Sequence, residues 1–325
     1  MPRAVLAEEF GDPEAYQLRD LHHRSVEPGT VRIAIKAAGI SYVDVLTAQG
    51  RYQVKPPLPF CPGSEAAGIV RELGEGVTGL AVGDAVSVGH WGGLFSDEAV
   101  LPAHTVRPMP PGLDFAEAAV FPVSYATAWH ALVDRGQLRL GETLLVLGAG
   151  GATGYAAIQT GKHLGARVIA SASSETKRAL ALAGGADAVV DARAADWREQ
   201  VKAASDGHPI NVVFDPVGGD ATDPAFRCLG WGGRHLVVGF PGGIATLRTN
   251  LPLLKGASLI GVDLRQFGAR EPDKAEANRQ AIFALATAGV LRPVVARRHT
   301  LDDFRAAMRD AAAGTSAGRI VLIMD

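Results

Sequence analysis

The stretch from Thr143 to Gly154 reads TLLVLGAGGATG and runs on into YAAIQTGKHLG. A short apolar run ends at Leu147, glycines follow at 148, 151 and 154, and a helical pattern begins. This order of residues suits a bound pyrophosphate, which needs backbone N–H donors and the positive end of a helix dipole. Gly148, Gly150, Gly151, Ala152, Thr153 and Gly154 are therefore candidate anion-binding positions. A side chain on the loop would hold the anion away. Gly154 would also let the helix pack closely on the strand. The spacing is G-x-x-G-x-x-G, with Thr153 standing where the commoner G-x-G-x-x-G would be completed. The plain alternative is a tight structural turn with no ligand.

If the loop holds a dinucleotide, the end of the next strand selects its type. A ribose 2′-hydroxyl is usually met there by Asp or Glu, about 20 residues past the loop. Here the chain reads VIASASSETKR, with Ser173, Ser174 and then Lys177 and Arg178. Small hydroxyls and cations suit a 2′-phosphate, which a carboxylate would repel. The expected cofactor is NADPH. Ser173 or Ser174 could equally cap the helix, with the two cations on its solvated face. Glu175 is the one nearby acid.

Elements must position these residues. Apolar strands at 143–147, 167–171, 188–191, 211–215, 235–239 and 259–262 alternate with helical stretches such as 154–164, 175–183 and 197–204. That alternation predicts an α/β fold with a doubly wound, parallel, six-stranded sheet of the Rossmann type. Residues before about 120 read instead as strands at 31–35, 66–70 and 85–88, with turns at Pro62-Gly63, Gly83-Asp84 and Pro110-Pro111-Gly112. They predict a mainly β, partly open barrel. A helix over 115–132, interrupted near Phe121-Pro122, joins the two patterns. Helices over 274–288 and 301–313 and a strand over 319–324 close the chain.

Composition bounds the function classes. The 325 residues suit two domains, with 47% apolar and 20% charged residues. A net charge of -2 gives no basic field for nucleic acid. No apolar run is long enough to span a membrane. Acids within MPRAVLAEEF speak against a signal peptide. Cys61 and Cys228 are the two cysteines, too few for a disulfide framework, so a cytoplasmic location is expected.

With the glycine loop placed, nearly the whole chain resembles the medium-chain dehydrogenase/reductase superfamily, and within it the zeta-crystallin-like quinone oxidoreductases. The resemblance rests on Ala38-Gly39-Ile40-Ser41-Tyr42-Val43-Asp44, Gly50-Arg51-Tyr52, Leu58-Pro59-Phe60-Cys61-Pro62-Gly63-Ser64-Glu65-Ala66-Ala67-Gly68, and Gly83-Asp84-Ala85-Val86. It continues through the glycine loop, Asp215-Pro216-Val217-Gly218-Gly219 and Gly318-Arg319-Ile320-Val321-Leu322. It implies a GroES-like catalytic domain over 1–122 and 264–325, a Rossmann domain over 123–263, a cofactor lying across the cleft between them, and a homodimer.

Zinc-containing relatives carry ligands near the positions of Ser41, Ser64 and Val123, and none of these residues is a zinc ligand. No metal site is expected. Without a Lewis acid the acceptor must already be electron-poor, as quinones and α,β-unsaturated carbonyls are. The resemblance implies Ser41, Tyr42, Tyr52 and Thr127 as catalytic candidates. Ser41 would donate to an acceptor oxygen, Tyr52 would wall the pocket or supply a proton, and Thr127 would lie near the nicotinamide. Gly239, Phe240 and Arg319 join the cofactor set, and Asn250 follows a late strand. Asp44 and Glu65 read as structural acceptors. Two departures stand out: the family commonly has Asn at the position of Ser41 and an aromatic near Ala192.

The expected function is zinc-independent NADPH:quinone oxidoreduction. The same scaffold also suits an enone or enoyl-thioester reductase. A reading of another class is an NADPH-binding structural or redox-sensing protein without turnover.

Overall fold

The computed structural model describes residues 1–324. The chain divides into two compact units, Met1–Val123 with Arg292–Asp325, and Ser124–Leu291.

The second unit is a parallel sheet with helices on both faces. Its strands are β1 (Thr143–Val146), β2 (Arg167–Ala172), β3 (Ala188–Asp191), β4 (Ile210–Asp215), β5 (Leu229–Val237) and β6 (Ser258–Gly261). They stand in the order β3-β2-β1-β4-β5-β6, so the direction of winding reverses between β1 and β4. In a sheet of this kind, ligands bind outside the carboxyl ends of the strands at that reversal. The middle strands are apolar and β-branched because both faces are covered. Leu145, Leu147, Ile169, Val213 and Phe226 share one buried cluster. The glycine-loop helix begins earlier than its apolar pattern does, at Ala152, because the small residues Ala152, Thr153 and Gly154 rather than large apolar ones fill its first turn.

Residues 264–291, expected with the catalytic domain, belong to this second unit. Phe267, on the helix Leu264–Arg270, is buried and stacks on His130 with centroids 3.9 Å apart. The helix Pro272–Thr287 follows, and its Asn278 donates to Asp134 at 2.7 Å. These contacts come from tertiary packing, and no local pattern announces them. The interrupted helix resolves into Phe115–Val120 and Pro122–Trp129, followed by a wider turn over His130–Arg135.

In the first unit the strand Thr30–Ile40 is central. It pairs antiparallel with Glu65–Leu73, Glu98–Pro102 and Arg319–Ile323. Its alternating residues Val31, Ile33 and Ile35 are buried against Val70, Val86, Phe95, Phe304 and Leu322. This is the GroES-like β unit. Among the described residues no helix is long and apolar enough to cross a membrane.

Candidate active site

The glycine loop leaves β1 at the reversal point. Leu147 N–H bonds Phe214 O of β4 at 3.0 Å, and Ala149 N–H bonds Ser171 O of β2 at 3.1 Å. The loop is thus tied to both neighbouring strands. Gly154 meets the loop backbone so closely that a Cβ there would lie 2.3 Å from Gly148 O. Gly150 lies against the stem of Lys177, where a Cβ would come within 2.5 Å. Gly151 is the N-cap of the helix Ala152–His163, and no side chain caps that helix. Its first-turn N–H groups, including those of Ala152 and Thr153, are left for an anion. The shape and the donors fit a dinucleotide pyrophosphate.

Ser174 caps the helix Glu175–Ala183, its hydroxyl accepting from Lys177 N–H at 3.3 Å. Ser173 is half-buried beside it. Burial, and then the charge of Arg193, lower the pKa of the Lys177 amine. Arg178 is committed elsewhere, donating to Ala172 O and pairing with Asp191, both at 3.2 Å. Sequence reasoning missed Arg193. It follows β3, where Ala192 N–H bonds Ala172 O at 3.1 Å and Arg193 N–H bonds Asp191 Oδ1 at 3.0 Å. Parallel pairing of β2 and β3 therefore brings Arg193 to the Ser173–Lys177 turn. The end of the third strand was the place to look for it.

Gly239 and Phe240 follow β5 at the same end of the sheet. Gly239 N–H bonds Asp215 O at 3.3 Å, and Phe240 is largely exposed. Asn250 begins the helix Asn250–Lys255. Thr127 is half-buried on Pro122–Trp129, whose Tyr125 hydroxyl donates to Gln159 at 2.6 Å.

The remaining candidates lie in the first unit. Ser41 caps the short helix Tyr42–Ala48 in a reciprocal box with Asp44. Its Oγ donates to Asp44 Oδ2 at 2.7 Å and accepts from Asp44 N–H at 3.3 Å. The hydroxyl proton thus already has an acceptor, and the carboxylate sets the direction of Oγ. Burial raises the pKa of Asp44, against the bonds from Ser41 and the charge of Arg319. Arg319, expected in the cofactor set, is occupied differently: it is buried in an ion pair with Glu65. Burial brings its pKa down to about 10, opposed by the charge of Asp44. Asp44 and Glu65 serve as the buried acceptors their setting predicts.

Tyr42 is exposed, and Tyr52 stacks on Trp91 at 5.4 Å with the rings 26° apart. Trp91 carries no sequence signal. Burial pushes the Cys61 thiol up to about 12, which leaves it inert as a nucleophile. Among the described residues, no three His, Cys, Asp or Glu side chains gather as a metal site.

Two family models match the chain: the alcohol dehydrogenase GroES-like domain over residues 27–111 and the zinc-binding dehydrogenase over 152–280. A quinone oxidoreductase-like protein 2 homolog from Nematostella vectensis is 33% identical over 98% of this chain and 88% of its own length. Human quinone oxidoreductase is 30% identical over 99% and 98%. The crystal structure of Escherichia coli quinone oxidoreductase complexed with NADPH superposes with a TM-score of 0.90 at 26% identity, covering 99% of this chain and 100% of that one.

Proposed function

We propose a function from one premise: the chain belongs to the quinone oxidoreductase branch of the medium-chain dehydrogenase/reductase superfamily. It transfers a hydride from NADPH to a quinone and needs no catalytic zinc. The carrying observation is the glycine loop with Lys177 laid across Gly150 and Arg193 beside it. Two cationic side chains near one another at the end of β2 suit the binding of an anion. A ribose 2′-phosphate is such an anion. Asp191, at the end of β3, is paired with Arg178.

NADPH, when bound, supplies the hydride. The chain holds the pyrophosphate on the loop and the helix start. Lys177 and Arg193 hold the 2′-phosphate. Gly239 and Phe240 border the cofactor at the ends of the later strands. Thr127 adjoins the nicotinamide. In the first unit Ser41, whose hydroxyl donates to Asp44, lines the acceptor's side of the site, with Tyr42 and the Tyr52–Trp91 stack as the apolar ring surface. The quinone takes the hydride and one solvent proton, and leaves as the hydroquinone. Ser41, Ser64 and Val123, standing where zinc relatives have ligands, support metal independence.

Two copies associate through the edge strand β6. Its surroundings leave Trp231, Leu253 and Leu254 at 82%, 78% and 67% exposure, which is unusual for a lone subunit. The free thiols of Cys61 and Cys228 suit a reducing cytoplasm.

The test follows the near-ultraviolet absorbance of the reduced nicotinamide with 1,4-benzoquinone, 9,10-phenanthrenequinone and a simple enone. Turnover with quinones that prefers NADPH over NADH is expected, and chelators should leave it unchanged. Turnover with the enone alone would assign the chain to ene reduction. NADPH binding without any turnover would point to a non-catalytic role.

A further inference from the structure

Asp215 ends β4 with its side chain buried. Oδ1 accepts from the N–H groups of Val217 and Gly218, both at 2.9 Å. Oδ2 accepts from the hydroxyl of Thr222 at 2.7 Å and pairs with His235 Nε2 at 3.0 Å. A carboxylate only accepts, so His235 must carry its proton on Nε2. Its Nδ1 faces no hydrogen-bond partner. The imidazole is fully buried and stacked on Phe226 at 5.8 Å. Burial alone would raise the pKa of Asp215, but the bonds from His235, Gly218 and Thr222 hold it below the usual carboxylate value.

The turn that this carboxylate orders is tied to a second one. Gly219 N–H bonds Gly243 O at 2.7 Å, and Gly242 N–H bonds Val217 O at 2.8 Å. The two turns approach so closely that a Cβ on Gly219 would lie 2.2 Å from Gly242 O. Val217 in turn reaches the glycine loop, where its Cγ2 would be 3.0 Å from a Cβ on Gly148. One buried carboxylate thus sits behind two tied turns, the first of which borders the pyrophosphate loop.

We propose that Asp215, oriented by His235 and Thr222, is a positioning residue for the cofactor, acting through the 215–219 and 239–243 turns rather than by contact. The inference rests on the NADPH reading. It makes these turns one unit: loosening the first must loosen the second and shift the wall against which Gly148 sits.

The test compares Asp215→Ala with Asp215→Asn. Asn keeps the acceptor for the two backbone N–H groups, and His235 can accept from its amide by moving its proton to Nδ1. Cofactor affinity is read from the fluorescence of bound NADPH, and loop order from amide hydrogen exchange of the cofactor-free protein. Asp215→Ala should weaken NADPH binding about tenfold or more, the scale of two lost hydrogen bonds. It should speed exchange at both turns and leave 173–178 unchanged. Asp215→Asn should restore affinity to within about threefold, less than the roughly 1 kcal/mol worth of one hydrogen bond. Unchanged affinity in folded Asp215→Ala, or faster exchange at one turn alone, overturns the proposal. If Asp215→Ala does not fold, Thr222→Val decides. It should weaken binding about two- to fivefold, one hydrogen bond's worth, and unchanged binding overturns the proposal. Failure of the wild-type protein to bind NADPH would instead sink the cofactor reading, and exchange would still decide whether the turns move together.

Discussion

Lys177 and Arg178 are neighbours in sequence and opposites in use. Arg178 turns back on Ala172 O and Asp191, while Lys177 lies across Gly150 toward Arg193. Lys177→Ala and Arg193→Ala should each weaken NADPH binding about tenfold or more, the range of a charge-assisted hydrogen bond. NADH binding should change little. Titrations with the two cofactors check this, and equal losses would remove the 2′-phosphate role. The sequence singles out Lys177 as a candidate by its place after β2. Arg193 is not singled out, because its nearness depends on the pairing of β3 with β2 and on no local spacing. Arg319 shows the opposite difficulty. It is a cofactor candidate in the sequence, and in the structure it pairs with Glu65 in the first unit. Arg319→Ala would leave Glu65 and Asp44 buried without their cation, a loss of about 3–5 kcal/mol. Thermal unfolding should show a large drop, and Arg319→Lys should recover only part of it, since Lys lacks the planar fork.

The parallel sheet was legible element by element because most of its strands are short apolar runs closed by glycine or a charge. The strand ends needed the fold itself: β5 extends from Leu229 through Trp231 and Gly232, which a hydropathy pattern does not favour. The short helix Tyr42–Ala48 was hidden because seven residues are too short a window to show a helical period. Its start is nonetheless written in the Ser41–Asp44 box. The close approach of Gly154 to Gly148 is also an element property. The first turn of Ala152–His163 can rest on Gly148 only if residue 154 has no side chain. Gly154→Ala forces one backbone off another, at a cost of roughly 1–3 kcal/mol. Melting should shift down and NADPH affinity should fall together. A variant that melts lower but binds normally would show that the loop accommodates the methyl group elsewhere.

For the molecule as a whole, composition and pattern gave two units and their architectures. The assignment of 264–291 eluded them, since an amphipathic helix does not state which neighbour it packs on. The association of copies is decided at this scale. Trp231→Glu combined with Leu254→Lys should leave each copy folded and convert a dimer to a monomer by light scattering, while circular dichroism stays unchanged. A wild-type protein that is already monomeric would reject the β6 interface. The central pairing of the first unit has a different kind of consequence. Ile40 lies beside Ile320 in one sheet, so this unit cannot close until nearly the whole chain has left the ribosome. The second unit lies between these strands in sequence and can fold first. Meanwhile Ala37–Ile40 waits without its partner strand Ile320–Ile323, so newly made chains should draw chaperones to that edge rather than to the second unit.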